Sequence, residues 1–469
     1  MVSIETKGGG FLRAQTRSST DGLFDTMPVP QAVRKMAVPA VAGQLVVLLY
    51  NLADTFFVGQ TNNPYMVAGV SLILPVFNVT LALGTLIGTG GGAFLPRLLG
   101  AGREYEAERV NRFCIWLTVA VTGVFCLLLQ LFSNPLLRLL GAGENTFAYA
   151  RLYMRIVVVL GGIPTVLTNV LAALLRSLGH SREAGIGVSM GGILNILLDP
   201  LFMFVLLPDG QEVLGVAVAT VLSNLIACSY CLYVMCRGQS VLAVRLRPVL
   251  PERASVLAVL AVGIPAAINV LLFDLDYMVL NRLMAGHGDI PLAAMGIVLK
   301  AERFPLQSGV GLCQAMVPLI AYSYTARNYR RMKELVAYFT KVGVIIALGS
   351  IAVYEIFATP VIRLFIEDAE TVLCGASFLR ARALATLFMF LSFFVAHIFQ
   401  ALGNGRAALG LCCLRWLGFS IPALFLFNHF AGMQGLVWAQ LAADIFTVAV
   451  SFLTYYLLVL RRFPSDTLE

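Results

Sequence analysis

Apolar residues run through this chain in long blocks, and polar residues collect in the short gaps between them. Twelve blocks are long enough to cross a bilayer as helices: residues 33–59, 66–95, 113–133, 150–175, 184–207, 213–236, 254–284, 291–323, 336–358, 375–402, 407–428 and 434–460. Polar stretches cover 1–32, 237–253 and 463–469. The pattern predicts an all-α polytopic membrane protein. A first lobe of six spans covers 33–236, a linker 237–253, and a second lobe of six spans 254–462. Segments 1–32 and 463–469 are expected to be cytosolic tails, the first of them disordered.

The two lobes repeat each other. Val38-Pro39-Ala40 recurs as Ile264-Pro265-Ala266, and Asn134-Pro135-Leu136-Leu137-Arg138-Leu139 as Thr359-Pro360-Val361-Ile362-Arg363-Leu364. Leu178-Gly179 recurs as Leu402-Gly403, and Gly215-Val216 echoes in Gly435-Leu436-Val437, with a constant offset of 220–226 residues. Six spans is an even number, so the lobes run in the same sense. They are expected to be two six-helix bundles related by a pseudo-twofold along the membrane normal. Such a pair, with a cleft between, is the architecture of an alternating-access carrier.

Composition agrees: 59% of residues are hydrophobic and 12% charged, about half the charge of a soluble domain. The net charge of +8 is explained by topology. Of 33 Lys and Arg, 24 fall in segments and span ends on the side of the two termini, 6 in those on the other side, and 3 (Arg282, Lys300, Arg303) elsewhere within spans. This asymmetry places both termini in the cytosol and removes the need for a nucleic-acid partner. The nine cysteines sit mostly in apolar runs, as packing residues. Gly88-Thr89-Gly90-Gly91-Gly92 lacks the Gly-Lys-Ser/Thr ending of a phosphate loop and lies within a span, so it is read as a surface for close helix approach. No nucleophile–base pair or metal-spaced cluster appears, so the chain is not expected to be an enzyme, and transport must draw on an ion gradient.

The candidate chemistry is the polar residues within spans, where a carboxylate costs roughly 2.5–3.5 kcal/mol on insertion scales. Asn195 and Asp199 share one face of the fifth span, four residues apart, and Pro200 leaves the Ile196 carbonyl without its helical donor. Asp54, in the first span, lies at similar depth, with Pro39 earlier in that span to bend it. Two carboxylates meeting in a low dielectric cannot both ionise cheaply, so one of them would hold a proton. Asn169 and Thr220 add neutral oxygens, or simply pack helices. In the second lobe, Asp274, Asp276 and Glu302 either form a structural ion-pair network or line the cavity and attract cations. Gln44 and Tyr50 are further cavity candidates and Asp444 a weaker one; His397 and Gln400 in the tenth span are read as a packed polar pair.

Taken together these residues are similar to the multidrug and toxic compound extrusion (MATE) family over about 34–460. The matching pieces are Asn51 to Gly59, Leu98 to Gly102, Leu174 to Gly179, Asn195 to Pro200, Gly215 to Thr220 and Pro318 to Tyr324. Where the family commonly has tyrosine-asparagine-tyrosine-glycine-alanine after the eighth span, this chain has Tyr322-Ser323-Tyr324-Thr325-Ala326. The resemblance implies a plasma (inner) membrane antiporter, monomeric, that exports lipophilic and often cationic compounds in exchange for H+ or Na+, with no other cofactor. It places a coupling site at Asp54, Asn169, Asn195, Asp199 and Thr220, with Na+, if used, at Asp54, Asn195 and Asp199. A second-lobe site of the kind some members build in spans seven and ten is doubtful on sequence, because the tenth span has no carboxylate in its apolar core. The rival within the same architecture is a flippase for lipid-linked oligosaccharides or lipids, which would want a strongly basic cleft. A channel is the remaining transport alternative, disfavoured by the kinked two-lobed repeat.

Overall fold

In the structure, a computed structural model describing residues 22–61, 63–208, 210–237, 248–459 and 461, almost every described residue is helical. The helices are α1 (Val29–Gly59), α2 (Pro64–Ser71), α3 (Leu74–Gly100), α4 (Glu104–Leu131), α5 (Ser133–Leu139), α6 (Glu144–Tyr153), α7 (Gly162–Ser177), α8 (Ser181–Leu201) and α9 (Glu212–Arg237) in the first lobe. The second holds α10 (Arg253–Ala285), α11 (Asp289–Thr325), α12 (Tyr329–Arg363), α13 (Ala369–Ala383), α14 (Ala385–Ala401), α15 (Gly405–Cys413) and α16 (Ile421–Leu458). Wider π-helical turns bridge α6 to α7, extend α8 and join α15 to α16, at Met154–Leu160, Phe202–Leu206 and Leu414–Ser420.

These segments resolve into the twelve expected spans. Among the described residues nine stretches are long and apolar enough to cross a bilayer, and two bent pairs, α6–α7 at 45° and α13–α14 at 41°, each make one more. The Gly405–Leu458 stretch has 54 residues. At 1.5 Å per residue it would reach about 80 Å, against a hydrocarbon core of about 30 Å. It is broken at Gly432, whose φ of 55° and ψ of −136° suit a residue without a Cβ. Two spans therefore lie where the hydrophobic pattern put them. Several spans begin earlier than the apolar runs suggest: the third starts at Glu104, the fourth at Glu144, the ninth at Tyr329 and the tenth at Ala369.

The first lobe is closed by α8 packing on α1, α7 and α9, and by α3 on α7 and α4. The lobes meet along α1–α11, α3–α10 and α3–α11. Glycines make these crossings, among them Gly90 of the run that the sequence marks for close helix approach. A Cβ on Gly90 would lie 2.3 Å from the Val259 carbonyl oxygen, one on Gly263 2.0 Å from that of Leu86, and one on Gly311 2.7 Å from the Val41 Cα. Gly100 meets the α11 end in the same way, within 2.5 Å of the Tyr322 carbonyl. All of these contacts lie toward the face that carries both chain ends.

The leading segment departs from expectation on that face. The disordered tail was expected to reach residue 32, but from Gly22 the chain is a helical turn docked across the lobe boundary. Leu23 and Phe24 are buried, and they lie against Gly179 of the first lobe. The Arg331 guanidinium of the second lobe donates to the Phe24 and Leu23 carbonyls at 2.7 and 3.2 Å, and the Phe24 ring stacks on Tyr322 at 5.0 Å. Two apolar side chains leaving water and two carbonyls taking an arginine explain the order. Residues 1–21, most of the linker (238–247) and the 463–469 tail lie outside the described residues.

Candidate functional site

Asn195 and Asp199 sit one turn apart on α8, as their spacing requires, on a face stripped of bulk. Gly191 and Gly192 precede them, and a Cβ on Gly192 would lie 2.8 Å from a Val46 methyl and 3.1 Å from the Tyr50 ring of α1. The missing side chains let α1 approach, bringing Tyr50 and, one turn on, Asp54 to the pair. The Asn195 amide donates to Asp199 Oδ1 at 3.1 Å and reaches Thr220 Oγ1 on α9 at 3.4 Å. The Thr220 hydroxyl spends its own proton on the Val216 carbonyl at 2.8 Å, so toward Asn195 it serves as acceptor.

Asp199 has no exposed surface and Asn195 is 3% exposed. Three oxygens of the cluster, Asp54 Oδ1, Asp199 Oδ2 and Asn195 Oδ1, are buried and receive no hydrogen bond from the described residues. Asp54 and Asp199 are near enough to act electrostatically on one another, and both act on Tyr50 and Tyr153. The structure thus assembles four of the five expected coupling residues. Asn169 is the exception: it is exposed on α7 and donates to the Thr165 carbonyl of its own helix at 3.3 Å. Tyr153 is the residue sequence reasoning missed. It falls at the edge of the apolar run, and the early start of the fourth span carries it into the lobe. The first span is helical without interruption through Pro39, against which Gly185 of α8 packs. At Pro200 the helix continues and then widens into the π-turn of Phe202–Leu206.

The second-lobe acids form a buried ion-pair network. Arg382 makes a two-pronged bond to Glu302, 2.7 Å from Nε and 2.9 Å from Nη2, and also bonds Gln440. Arg415 pairs with Asp444 at 2.9 Å and lies 4.5 Å from the Phe393 and Trp416 ring centroids. Asp276 accepts from the Ser420 hydroxyl at 2.6 Å and feels both arginines. Arg382 and Arg415 fall within the predicted tenth and eleventh spans, 375–402 and 407–428. Both are inside the lobe because the tenth span starts at Ala369 and the eleventh winds through the π-turn containing Arg415. Asp274 stands apart, partly exposed, facing Asn78 of α3 and within reach of Arg303.

A cavity of about 320 Å³ lies between the lobes, walled by α3, α7, α10, α11 and α14. None of the five cavity candidates, Asp274, Asp276, Glu302, Gln44 and Tyr50, is on its wall, and no residue on its wall is acidic. Gln44 reaches it indirectly, donating at 3.0 Å to Gln314, which does line it. The three acids among them are spent elsewhere: Glu302 on Arg382 and Asp276 on Ser420 inside the second lobe, and Asp274 beside Asn78. The wall instead carries Arg176, Asn269, Gln307, Gln314, His397 and Gln400 among apolar and aromatic side chains. Among the described residues no group of three or more His, Cys, Asp and Glu has metal-binding spacing.

Comparison with known proteins agrees with this architecture. The sequence profile of the MatE family matches residues 39–201 and again 265–426, one copy in each lobe. The multidrug export protein MepA of Staphylococcus aureus (strain MSSA476) is 30% identical over 447 residues, which is 95% of this chain and 97% of that protein. Its counterpart in Staphylococcus saprophyticus is 29% identical over 438 residues, 93% and 95% of the two chains. A solved outward-facing multidrug resistance MATE transporter superposes with a TM-score of 0.87 at 25% identity, covering 93% of this chain and 96% of that one. A MATE structure in complex with MaL6 gives the same score and identity, with 97% of that chain covered.

Proposed function

The chain belongs to the MatE family of membrane transporters, and from that membership we propose that it is a secondary exporter of structurally diverse organic compounds, driven by inward flow of a proton or a sodium ion. The observation that supports this most is the set of buried oxygens at Asp54, Asp199 and Asn195 that the protein leaves without donors. Two carboxylates and an amide carbonyl in a low-dielectric lobe are costly as they stand. A proton on the carboxylates, or a small hard cation among the oxygens, removes the cost.

The cycle follows from where the lobes touch. The glycine crossings and the docked Leu23–Phe24 turn close the face bearing the chain ends. With both ends in the cytosol, as the Lys/Arg asymmetry argues, the protein is shut toward the cytosol, in a plasma-membrane orientation. In this state the coupling ion enters from outside. Its charge alters the attraction between α1 and α8, the helices carrying Asp54 and Asp199. Since α1 also packs on α11, the change reaches the lobe interface and shifts the balance between outward-closed and inward-closed states. An ion drives this only so far as it binds the two states unequally. Release inside, where the ion is scarcer, resets the site and admits substrate to the central cavity. The second lobe takes no ion in this scheme: arginine guanidiniums already neutralise its acids.

A flippase for lipid-linked sugars would need several cations against a pyrophosphate, and the cavity wall has a single arginine. The test is transport by the purified protein in proteoliposomes under an imposed pH gradient or, separately, a sodium gradient. Substrate movement driven by one gradient identifies the ion. Movement unaffected by both would reject gradient-driven export.

A further inference from the structure

The fourth span carries two arginines that the protein leaves without partners. Arg151 on α6 and Arg155 on the π-helical turn that follows are four residues apart, so they share one stripe of the span. The Nε–H of each is buried and meets no acceptor among the described residues. Neither takes part in an ion pair there. A guanidinium stays charged and has five donors to place, and a shielded donor without an acceptor is costly. The stripe borders the outward side of the span: Ala148 and Leu152 are exposed, whereas Ala150, Tyr153 and Met154 are buried.

The repeat shows what is missing. By the offset that maps Arg138 onto Arg363, Arg155 maps onto Arg380 and Gln130 onto Glu355. In the second lobe Arg380 donates to the Glu355 carbonyl at 3.2 Å. In the first lobe the Gln130 carbonyl takes the Ser133 hydroxyl at 3.2 Å, and the acid is replaced by an amide. The first lobe has thus withdrawn the acceptor for Arg155 together with a negative charge.

Depth points to the bilayer edge. The bent span from Glu144 to Ser177 is about 50 Å of helix at 1.5 Å per residue, against a hydrocarbon core of about 30 Å. With about 10 Å projecting at each end, Arg151 falls at the edge of the core away from the chain ends. Arg155 lies one turn inside it, from where a long side chain snorkels to the headgroups. The third span packs on the fourth here, with the Cys126 thiol donating to the Val158 carbonyl at 3.2 Å. Leu127, Leu128 and Leu131, on the last turns of that third span, are exposed.

We propose that Arg151 and Arg155 bind the phosphate of an anionic phospholipid in the leaflet opposite the chain ends, its acyl chains lying along the exposed leucines of α4. The phosphate oxygens accept the two stranded Nε–H donors. One phosphate charge offsets two guanidiniums only in part, so a headgroup without an ammonium is preferred to phosphatidylcholine. A lipid is favoured over a soluble phosphate because the arginines sit at the bilayer edge among apolar side chains.

The test uses the full-length protein in a neutral detergent. Dioctanoyl phosphatidylglycerol and dioctanoyl phosphatidylcholine are titrated separately, and bound lipid is counted by native mass spectrometry. The wild type should bind one phosphatidylglycerol at least about tenfold more tightly than phosphatidylcholine, the worth of one charge-assisted hydrogen bond. Arg151→Gln and Arg155→Gln should each remove most of that preference, and Arg155→Lys should keep part of it. Arg380→Gln, whose arginine has its own acceptor, should leave it unchanged. Ala148→Glu places an acid one turn before Arg151 at an exposed position. It should lower the preference severalfold without touching either arginine, and serves if the arginine variants do not fold. Inorganic phosphate should not displace the lipid. Equal binding of the two lipids by the wild type overturns the proposal. A preference lost equally in Arg380→Gln is a general charge effect and also overturns it. Displacement by inorganic phosphate at the lipid's own concentration assigns the arginines to a soluble anion and overturns it too.

Discussion

At the scale of single residues, the chain separates two uses of buried charge. Glu302 and Arg382 have a geometry that repays desolvation, a two-pronged bond with Gln440 as a further partner. Removing one member strands the other: Glu302→Ala should destabilise the protein on the order of 3–5 kcal/mol, read as thermal unfolding in detergent. The double variant Glu302→Leu with Arg382→Met should recover most of that loss, since apolar replacement of a whole buried pair is often neutral. Asp199 is built differently, with one oxygen bonded to Asn195 and the other facing no donor. Asp199→Asn should therefore cost far less stability than Glu302→Ala and far more transport. Sequence spacing alone joined Asn195 to Asp199, because both lie on one helix. It did not join Glu302 to Arg382, which are 80 residues apart and meet only through the packing of α11 on α13.

At the scale of elements, glycines decide how near the helices come, and the docked leading turn seals the boundary they create. Gly263 lies against the Leu86 carbonyl, a backbone atom that cannot swing aside. Gly263→Val should push α10 from α3 and favour the state open on the chain-end face. The expected readout is faster maleimide labelling of Cys313, which is buried in α11 beside that boundary. Unchanged labelling would mean that the α3–α10 contact does not govern closure. Phe24→Ala empties a fully buried site at the lobe junction and should cost on the order of 3 kcal/mol. The spans themselves were readable from hydropathy, since lipid demands long apolar runs. Their ends were not. Glu144 to Tyr149 and Ala369 to Cys374 are polar enough to pass for loops, and only lobe packing reveals that they are helix. Leu23 and Phe24 were hidden for the same reason, two apolar residues in a polar segment.

At the scale of the whole molecule, the repeat is the organising fact. It was legible as a 220–226 residue offset, and the family profile matches once per lobe on nearly the same spacing. What the repeat concealed is how unlike the lobes are in charge. The first holds carboxylates without cations at its core. The second holds acids already matched by Arg382 and Arg415. The molecule is accordingly expected to carry one coupling site, in the first lobe, and its central cavity is reached by neither set of acids.

The most direct test of this division is gradient-driven dye export in proteoliposomes for the wild type, Asp54→Asn and Asp444→Asn, with folding checked by thermal unfolding. The account predicts that Asp54→Asn abolishes the response to the gradient while still binding dye. It predicts that Asp444→Asn loses stability but keeps gradient-driven export in whatever fraction remains folded. Full coupling in Asp54→Asn, or coupling lost from folded Asp444→Asn alone, would contradict it.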